Sequence, residues 1–291
     1  MNVSMHDGFN LAWKLNLAVR GLAKSALLST YEHERRKIAQ DLINFDYEHA
    51  NAFAAGDPQA LAENFAKNIR FISGVGAEYA ENILNHPEKA PRGGLRPGAL
   101  LTPTKVTRYI DANPVDLQLD IPMLGQFRIF FFTRSVKASA SFLGKVCEEM
   151  TSSRTILGRA SAAAEISYSE LPPPRTEMDE FVQPQRYTSV SKIFTSAVVT
   201  SEAKGNVEIA DLPKALQDSR WTFYLDDAAV SGKPSCIEKW LGGLDADEVA
   251  IVNVRPDGYV GSIGRWNVSH TWAGDQAADW LNAYYGGFLS G

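Results

Sequence analysis

The first seven residues carry the pattern best suited to bind a ligand. Ser4 and Asp7 stand three residues apart just before an apolar run, so the Ser4 hydroxyl can cap the Asp7 amide at the start of a helix. The amides of Met1 to Met5 would then be free, and the positive end of the helix would favour negative charge beside them. The same spacing is also typical of a capped core helix that binds nothing.

The helix predicted after this cap carries apolar side chains on two faces. One face holds Phe9, Trp13 and Leu17, and the other holds Leu11, Leu15, Ala18 and Leu22. This distribution predicts a helix that is buried nearly all round and ends at Gly21.

A family resemblance is carried by Met1-Asn2, four further residues, and then Asp7-Gly8-Phe9-Asn10-Leu11-Ala12-Trp13-Lys14-Leu15. The run is similar to the segment that follows the flavin-binding Gly-Asp motif in FAD-dependent aromatic hydroxylases of the phenol hydroxylase type. Four later stretches resemble the same family, namely Thr30–Arg36, Phe71–Tyr79, Gly94–Gly98 and Val254–Gly261. The resemblance implies that the amides of Met1, Asn2 and Val3 approach the pyrimidine edge of FAD, with NADPH as reductant.

Two further motifs of that family are missing. No Gly-x-Gly-x-x-Gly follows a strand, and the Gly-Asp motif expected immediately before Met1 does not occur. We therefore expect the C-terminal half of a flavin monooxygenase that hydroxylates a phenolic or other aromatic substrate with NADPH and O2. This chain alone is not expected to retain FAD. The resemblance places the substrate-activating residues in the missing half, so no catalytic residue is predicted.

The remaining chemistry-bearing residues exclude other classes of enzyme. The histidines, His6, His33, His49, His86 and His270, never stand at metal-ligand spacing, so no metal site is predicted. Ser73 and Ser262 lie near glycines but not in a Gly-x-Ser-x-Gly elbow. Cys147 and Cys236 stand far apart, which gives no support for a disulfide framework.

Composition narrows the set of partners. The 291 residues are 45% hydrophobic and 22% charged, which is ordinary for a globular protein, and the net charge of −5 gives no basic footprint for nucleic acid or an acidic membrane. Charged residues interrupt the first thirty positions, which excludes a signal peptide or membrane span there. We expect a cytoplasmic protein.

The hydrophobic pattern changes from helical to strand-like along the chain. Helices are predicted from near Thr30 to Ala55 and from Pro58 onward, and the stretch Glu32 to Lys37 is interpreted as a solvated helix face. Strands are predicted at Val106–Ile110, Val115–Leu119, Gln126–Thr133, Ser191–Val199, Trp221–Leu225, Val249–Val254 and Tyr259–Ile263, with helices at Ser139–Met150 and Asp275–Phe288.

This order of elements is typical of a thioredoxin-like α/β fold, which the family carries as its C-terminal domain. Thr133 to Lys137 replaces the Cys-x-x-Cys of a redox thioredoxin, so no dithiol chemistry is expected. We place a domain boundary in the Pro- and Gly-rich stretch ending at Gly98. Residues 1–98 would form the helical tail of the FAD domain, and residues 99–291 a thioredoxin-like dimerisation domain.

Two alternative functions stay open at this point. One is a non-catalytic thioredoxin-like module for dimerisation or binding, and the other is a truncated homologue with cofactor-independent activity in a pocket of its own. The resemblance implies a homodimer or other self-association, and an aromatic small-molecule substrate in the complete enzyme.

Overall fold

The computed structural model describes residues 2–74, 76–88, 91–227 and 233–291. Three helices come first: α1 (Asn2–Val19), α2 (Ser25–Ala54) and α3 (Pro58–Ile72). Asp57 begins α3 because its Oδ1 accepts hydrogen bonds from the amides of Gln59 and Ala60, at 3.0 and 2.9 Å. None of the helices in these ranges combines the length and the apolar character needed to cross a bilayer.

In the described residues, a mixed sheet and further α-helices follow. The strands are β1 (Lys105–Arg108), β2 (Pro114–Asp116), β3 (Phe127–Thr133), β4 (Phe194–Thr200), β5 (Phe223–Leu225), β6 (Glu248–Val254) and β7 (Val260–Asn267). The helices are α4 (Leu117–Asp120), α5 (Ala140–Thr151), α6 (Ile156–Glu170), α7 (Asp179–Val182), α8 (Lys214–Asp218), α9 (Cys236–Leu241) and α10 (Ala273–Gly286).

The sheet order confirms the predicted fold class. Across the sheet the strands run β2-β1-β5-β4-β3-β6-β7, with β3 parallel to β4 and antiparallel to β6, and with β6 antiparallel to β7. A parallel β3-α5-α6-β4 unit joined to a β6-β7 hairpin and a closing helix α10 is the thioredoxin-like arrangement. The family-like turn between β6 and β7 is tight, because the Gly258 amide donates to the Arg255 carbonyl at 2.9 Å.

β3 lies at the centre because both of its faces are apolar. All seven of its residues are buried. Phe127, Ile129 and Phe131 pack in the core that contains α5 and α10, whereas Phe130 and Phe132 pack on the opposite side of the sheet against Trp240. A strand covered on both faces reads as a continuous apolar run, which is why this strand was predictable.

The face of α1 that packs is narrower than predicted. Trp13 and Leu17 are buried in the core of the sheet, but Phe9 and Leu15 are 54% and 43% exposed. The predicted cap is also wrong, since Ser4 and Asp7 lie inside a helix that has already begun at Asn2. The helix ends where predicted, with Gly21 at φ +70°.

Three other elements differ from prediction. α2 begins at Ser25 and not near Thr30, which lies inside the helix with its Oγ1 donating to the Leu27 carbonyl. The predicted strand at Val115–Leu119 is a short β2 followed at once by α4. α6 was not predicted, because small residues such as Ala160 and Ala164 form most of its buried face.

Candidate functional site

α1 begins with the residues predicted to approach a flavin. Met1 lies outside the described residues, Asn2 is the first helical residue, and Val3 is half-buried. The Val3 carbonyl accepts a hydrogen bond from Arg35 Nη2 at 3.4 Å. A guanidinium is only a donor, so Arg35 holds this turn without occupying the N–H groups that a helix start leaves without intrahelical partners.

Arg35 of α2 fixes the first two turns of α1. Its Nε donates to Asp7 Oδ1 at 2.5 Å, and its Nη1 donates to the Tyr79 hydroxyl at 3.1 Å. Burial alone would lower the pKa of Arg35, but Tyr79 and Asp7 outweigh it and raise that pKa. The cation is therefore permanent, and it links α1, α2 and the segment after α3.

Glu34, the preceding residue, is the centre of a buried polar cluster. Its Oε1 accepts hydrogen bonds from Arg255 Nη1 at 2.6 Å and from the amides of Asn82 and Asn85 at 3.0 Å each. Its Oε2 accepts from Lys14 Nζ at 2.9 Å, Asn10 Nδ2 at 2.8 Å and Arg255 Nη2 at 3.0 Å. With three donors on each oxygen, the carboxylate is fully satisfied without water.

Arg255, in the β6–β7 turn, is fully buried and meets two carboxylates. Besides Glu34, it contacts Asp257 through Nε at 3.0 Å and Nη2 at 2.7 Å. Asp257 in turn accepts from Trp13 Nε1 at 3.1 Å. The guanidinium also lies 5.1 Å from the Tyr79 ring and 5.7 Å from the Trp13 ring, distances at which cation–π attraction contributes.

The four charges of this cluster balance. Lys14 and Arg255 supply two positive charges, and Glu34 and Asp257 supply two negative ones. Burial lowers the pKa of Lys14 to about 8, although Glu34 opposes the shift. Burial would raise the pKa of Glu34, but Arg255 and Lys14 hold it well below its ordinary value. A buried network of this kind specifies one geometry strictly, because loss of any one partner strands another charge.

Sequence reasoning missed Glu34 and Arg35, which it interpreted as part of a solvated helix face. They are only 2% and 5% exposed, whereas Arg36 and Glu32 beside them point to solvent and form the exposed pair that the charge pattern suggested. The family resemblance was a usable signal. Three of the stretches that carry it meet in the cluster, and they supply Asn10 and Lys14, then Glu34, and then Arg255 and Asp257.

The described residues contain no arrangement of side chains suited to thiol or metal chemistry. Cys147 and Cys236 are buried and unpaired, and burial raises the pKa of Cys147 to about 12. At the dithiol position after β3, Thr133 Oγ1 instead pairs with Ser139 Oγ at 2.7 Å. No cluster of three or more His, Cys, Asp or Glu side chains in these ranges could hold a metal ion.

Two protein families match the stretches that meet around Glu34. Residues 77–291 match the phenol hydroxylase C-terminal dimerisation domain. The chain belongs to the phenol hydroxylase family. Residues 1–46, which contain α1 and the Glu34–Arg35 pair, match an FAD binding domain, so FAD is the cofactor of the family.

Two curated relatives of this family align over nearly the whole chain. Phenol 2-monooxygenase fsqG of Aspergillus fumigatus is 28% identical over 93% of the chain, and 3-hydroxybenzoate 4-monooxygenase of Comamonas testosteroni is 29% identical over 99%. The chain spans 43% of the length of each. A 3-(3-hydroxy-phenyl)propionate/3-hydroxycinnamic acid hydroxylase of Escherichia coli is 47% identical over 53 residues, 18% of the chain and 10% of the relative.

Solved structures of flavin enzymes also align with the chain. The flavin-dependent monooxygenase PieE, in complex with FAD and substrate, aligns over 97% of this chain and 44% of its own, at 15% identity and a TM-score of 0.49. Aklavinone-11 hydroxylase, in a ternary complex with FAD and aklavinone, aligns over 98% of this chain and 40% of its own, at 19% identity and a TM-score of 0.48.

Proposed function

We propose that this chain is the C-terminal portion of an FAD- and NADPH-dependent monooxygenase that hydroxylates a phenolic or other aromatic ring. The observation that carries the proposal is the buried cluster around Glu34. The family-like stretches meet there, and the helices matched to the FAD binding domain are tied to the thioredoxin-like sheet by Glu34–Arg255 and Trp13–Asp257 contacts of 2.6 and 3.1 Å.

The residues present fit one edge of FAD. The start of α1 has N–H groups without intrahelical partners and a positive dipole end, which suit the pyrimidine edge of an isoalloxazine ring. Arg35 anchors this turn through Val3 and Asp7 and leaves those N–H groups available. Bound FAD would supply the redox chemistry and the activation of O2.

In this proposal the chain positions the cofactor and places the positive end of α1 beside it. Met1, Asn2 and Val3 would present amides to the cofactor, Arg35 would hold their turn, and the Glu34 cluster would hold α2 against the sheet. A helix start fixed in this way is organised before the cofactor arrives, which is the condition for effective electrostatic stabilisation. A domain boundary at residue 98 and a cytoplasmic location stay predictions.

The visible spectrum of the purified chain after addition of FAD tests the proposal. We expect no stoichiometric complex with the 291 residues, because the pyrophosphate and adenine contacts of FAD require motifs that they lack. The chain extended by the upstream part of its reading frame is expected to be yellow and to oxidise NADPH in the presence of a phenol. Micromolar FAD binding by the 291 residues, or an upstream frame without the Gly-x-Gly-x-x-Gly motif, would overturn it.

Self-association is a second function that a specific observation favours. The family model that covers residues 77–291 is that of a dimerisation domain. We therefore infer that the thioredoxin-like domain, which lacks a dithiol, serves assembly.

A further inference from the structure

Arg128 lies in the central strand β3 and is only 2% exposed. The alternation of side chains along β3 puts it on the same face as Phe130, and its register partners are Thr195 of β4 and Val254 of β6. Within the described ranges it forms no hydrogen bond and no ion pair with another residue. A guanidinium carries five N–H donors and a full charge, so its burial without an acceptor is strongly unfavourable.

Arg128 keeps its charge at neutral pH. Burial lowers its pKa to about 10, and Tyr224 and Asp257 act in the opposite direction. Because this pKa still lies well above 7, the side chain is almost entirely a cation in the folded chain. The cost of burying it therefore has to be offset by negative charge and not by loss of its proton.

The carboxylates on this part of the sheet already have other partners. Asp257 accepts hydrogen bonds from Arg255 Nε at 3.0 Å and from Arg255 Nη2 at 2.7 Å. Asp120 is paired with Arg108 through both of its oxygens. Neither carboxylate is bonded to Arg128.

The charges buried at this end of the sheet do not balance. The cluster around Glu34 contains two cations and two anions. Arg128 adds a third cation beside it, because its partner Val254 immediately precedes Arg255 in the chain. One positive charge is left over, and a single monovalent anion would neutralise it.

Burial also limits what the anion can be. The chain spans 43% of the length of its curated relatives, so further protein could cover its exposed surfaces. Arg128 is already enclosed by this chain, and a carboxylate side chain from elsewhere would have to displace the residues around it. A small ion need not, and a cleft of about 920 Å³ lined by Gly125 and Pro256 reaches this end of the sheet.

We propose that Arg128 binds one small monovalent anion, of the size of chloride, inside the protein next to the Glu34 cluster. The ion accepts hydrogen bonds from the guanidinium and completes the charge balance of the interior. Unfolding releases it, so the folded chain is stabilised in proportion to the occupancy of the site. This site is separate from FAD binding and from self-association.

Urea unfolding of the full chain at two chloride concentrations tests the proposal. Sodium chloride is raised from 1 to 300 mM while sodium gluconate, whose anion is too large for the site, keeps the ionic strength constant. We expect the unfolding equilibrium constant of the wild-type chain to fall at least about fivefold. Arg128→Met should remove this dependence. Arg134→Met is the matched control, since it removes an exposed cation just after β3 and should leave the dependence intact.

Two direct measurements do not depend on the folding of Arg128→Met. The ³⁵Cl NMR line of the wild-type chain should broaden until one ion is bound per chain, and bromide should reverse the broadening by competition. Anomalous scattering from bromide in crystals of the wild-type chain should place the ion within hydrogen-bond distance of the Arg128 guanidinium.

Three results would overturn the proposal. The stability of the wild-type chain could be independent of chloride at constant ionic strength, or Arg128→Met could fold and keep the full chloride dependence. Bromide could also occupy only surface positions while water fills the space beside Arg128, which would mean an adventitious ion only. None of these results bears on FAD binding, so the two proposals fail separately.

Discussion

Arg255 Nη1 donates a hydrogen bond of 2.6 Å to Glu34 Oε1 across 221 residues of sequence. Arg255 and Glu34 are 0% and 2% exposed, so the contact lies in the interior of the protein. It joins the second helix of the chain to the turn of the closing hairpin. The contact therefore ties α2 directly to the sheet.

Glu34→Gln is expected to destabilise the chain by about 3–5 kcal/mol, because it leaves Lys14 and Arg255 buried with one carboxylate fewer. Urea unfolding monitored by tryptophan fluorescence would measure the loss. The matched control is Asp41→Asn, which breaks the exposed i,i+4 pair with Lys37 on the same helix and is expected to cost at most about 0.5 kcal/mol. Equal losses in the two variants would contradict a structural role for the cluster.

Stability is expected to fall at acid pH in a way that depends on Glu34. Burial would raise the pKa of Glu34, but Arg255 and Lys14 hold it well below the ordinary value of 4.5. Below that value the unfolded chain takes up a proton that the folded chain does not, so the free energy of unfolding decreases as the pH falls. Between about pH 6 and about pH 3 the wild-type curve should be steeper than that of Glu34→Gln. Parallel curves would show that Glu34 titrates normally.

Arg35→Met is expected to loosen the start of α1, because the hydrogen bonds to Asp7 and the Val3 carbonyl are lost. Hydrogen exchange of the amides of residues 6–9, whose carbonyl acceptors lie in the first turn, should accelerate at least about tenfold. Arg36→Met is the control, since the Arg36 side chain is 81% exposed. Similar exchange in both variants would remove Arg35 from its positioning role.

The thiols are expected to be inert in the folded chain. Burial raises the pKa of Cys147 to about 12 and that of Cys236 well above its ordinary value, so neither forms a thiolate at neutral pH. Ellman's reagent should react with both cysteines only after unfolding, and the chain should not catalyse insulin reduction. Turnover that Cys147→Ser abolishes would show a redox function after all.

Most of the fold followed from local pattern. The run Phe127–Thr133 predicted a strand covered on both faces, and Asp57-Pro58 and Gly21 marked a helix start and a helix end that the structure contains. These features depend on neighbouring residues, so periodicity and capping rules find them.

The site did not follow from local pattern. Glu34 lies in a charged stretch typical of a solvated helix, and the donors that satisfy it in the interior, Arg255 among them, lie far away in the sequence. The exposure of Phe9 was missed for a related reason, because helical spacing shows which side chains share a face but not whether that face is covered. The amides proposed for the flavin edge were suggested only by the family resemblance. Local pattern could not single them out, because any helix start offers similar amides.

The packing of α1 also determines when this chain can fold. Trp13 Nε1 bonds to Asp257, 244 residues later, so this N–H has no native acceptor until the last hairpin has been synthesised. At about 5–20 residues per second, translation of that interval takes about 10–50 s. During this time the apolar face of α1 is exposed on the nascent chain, and we expect it to be bound by ribosome-associated chaperones until Asp257 emerges.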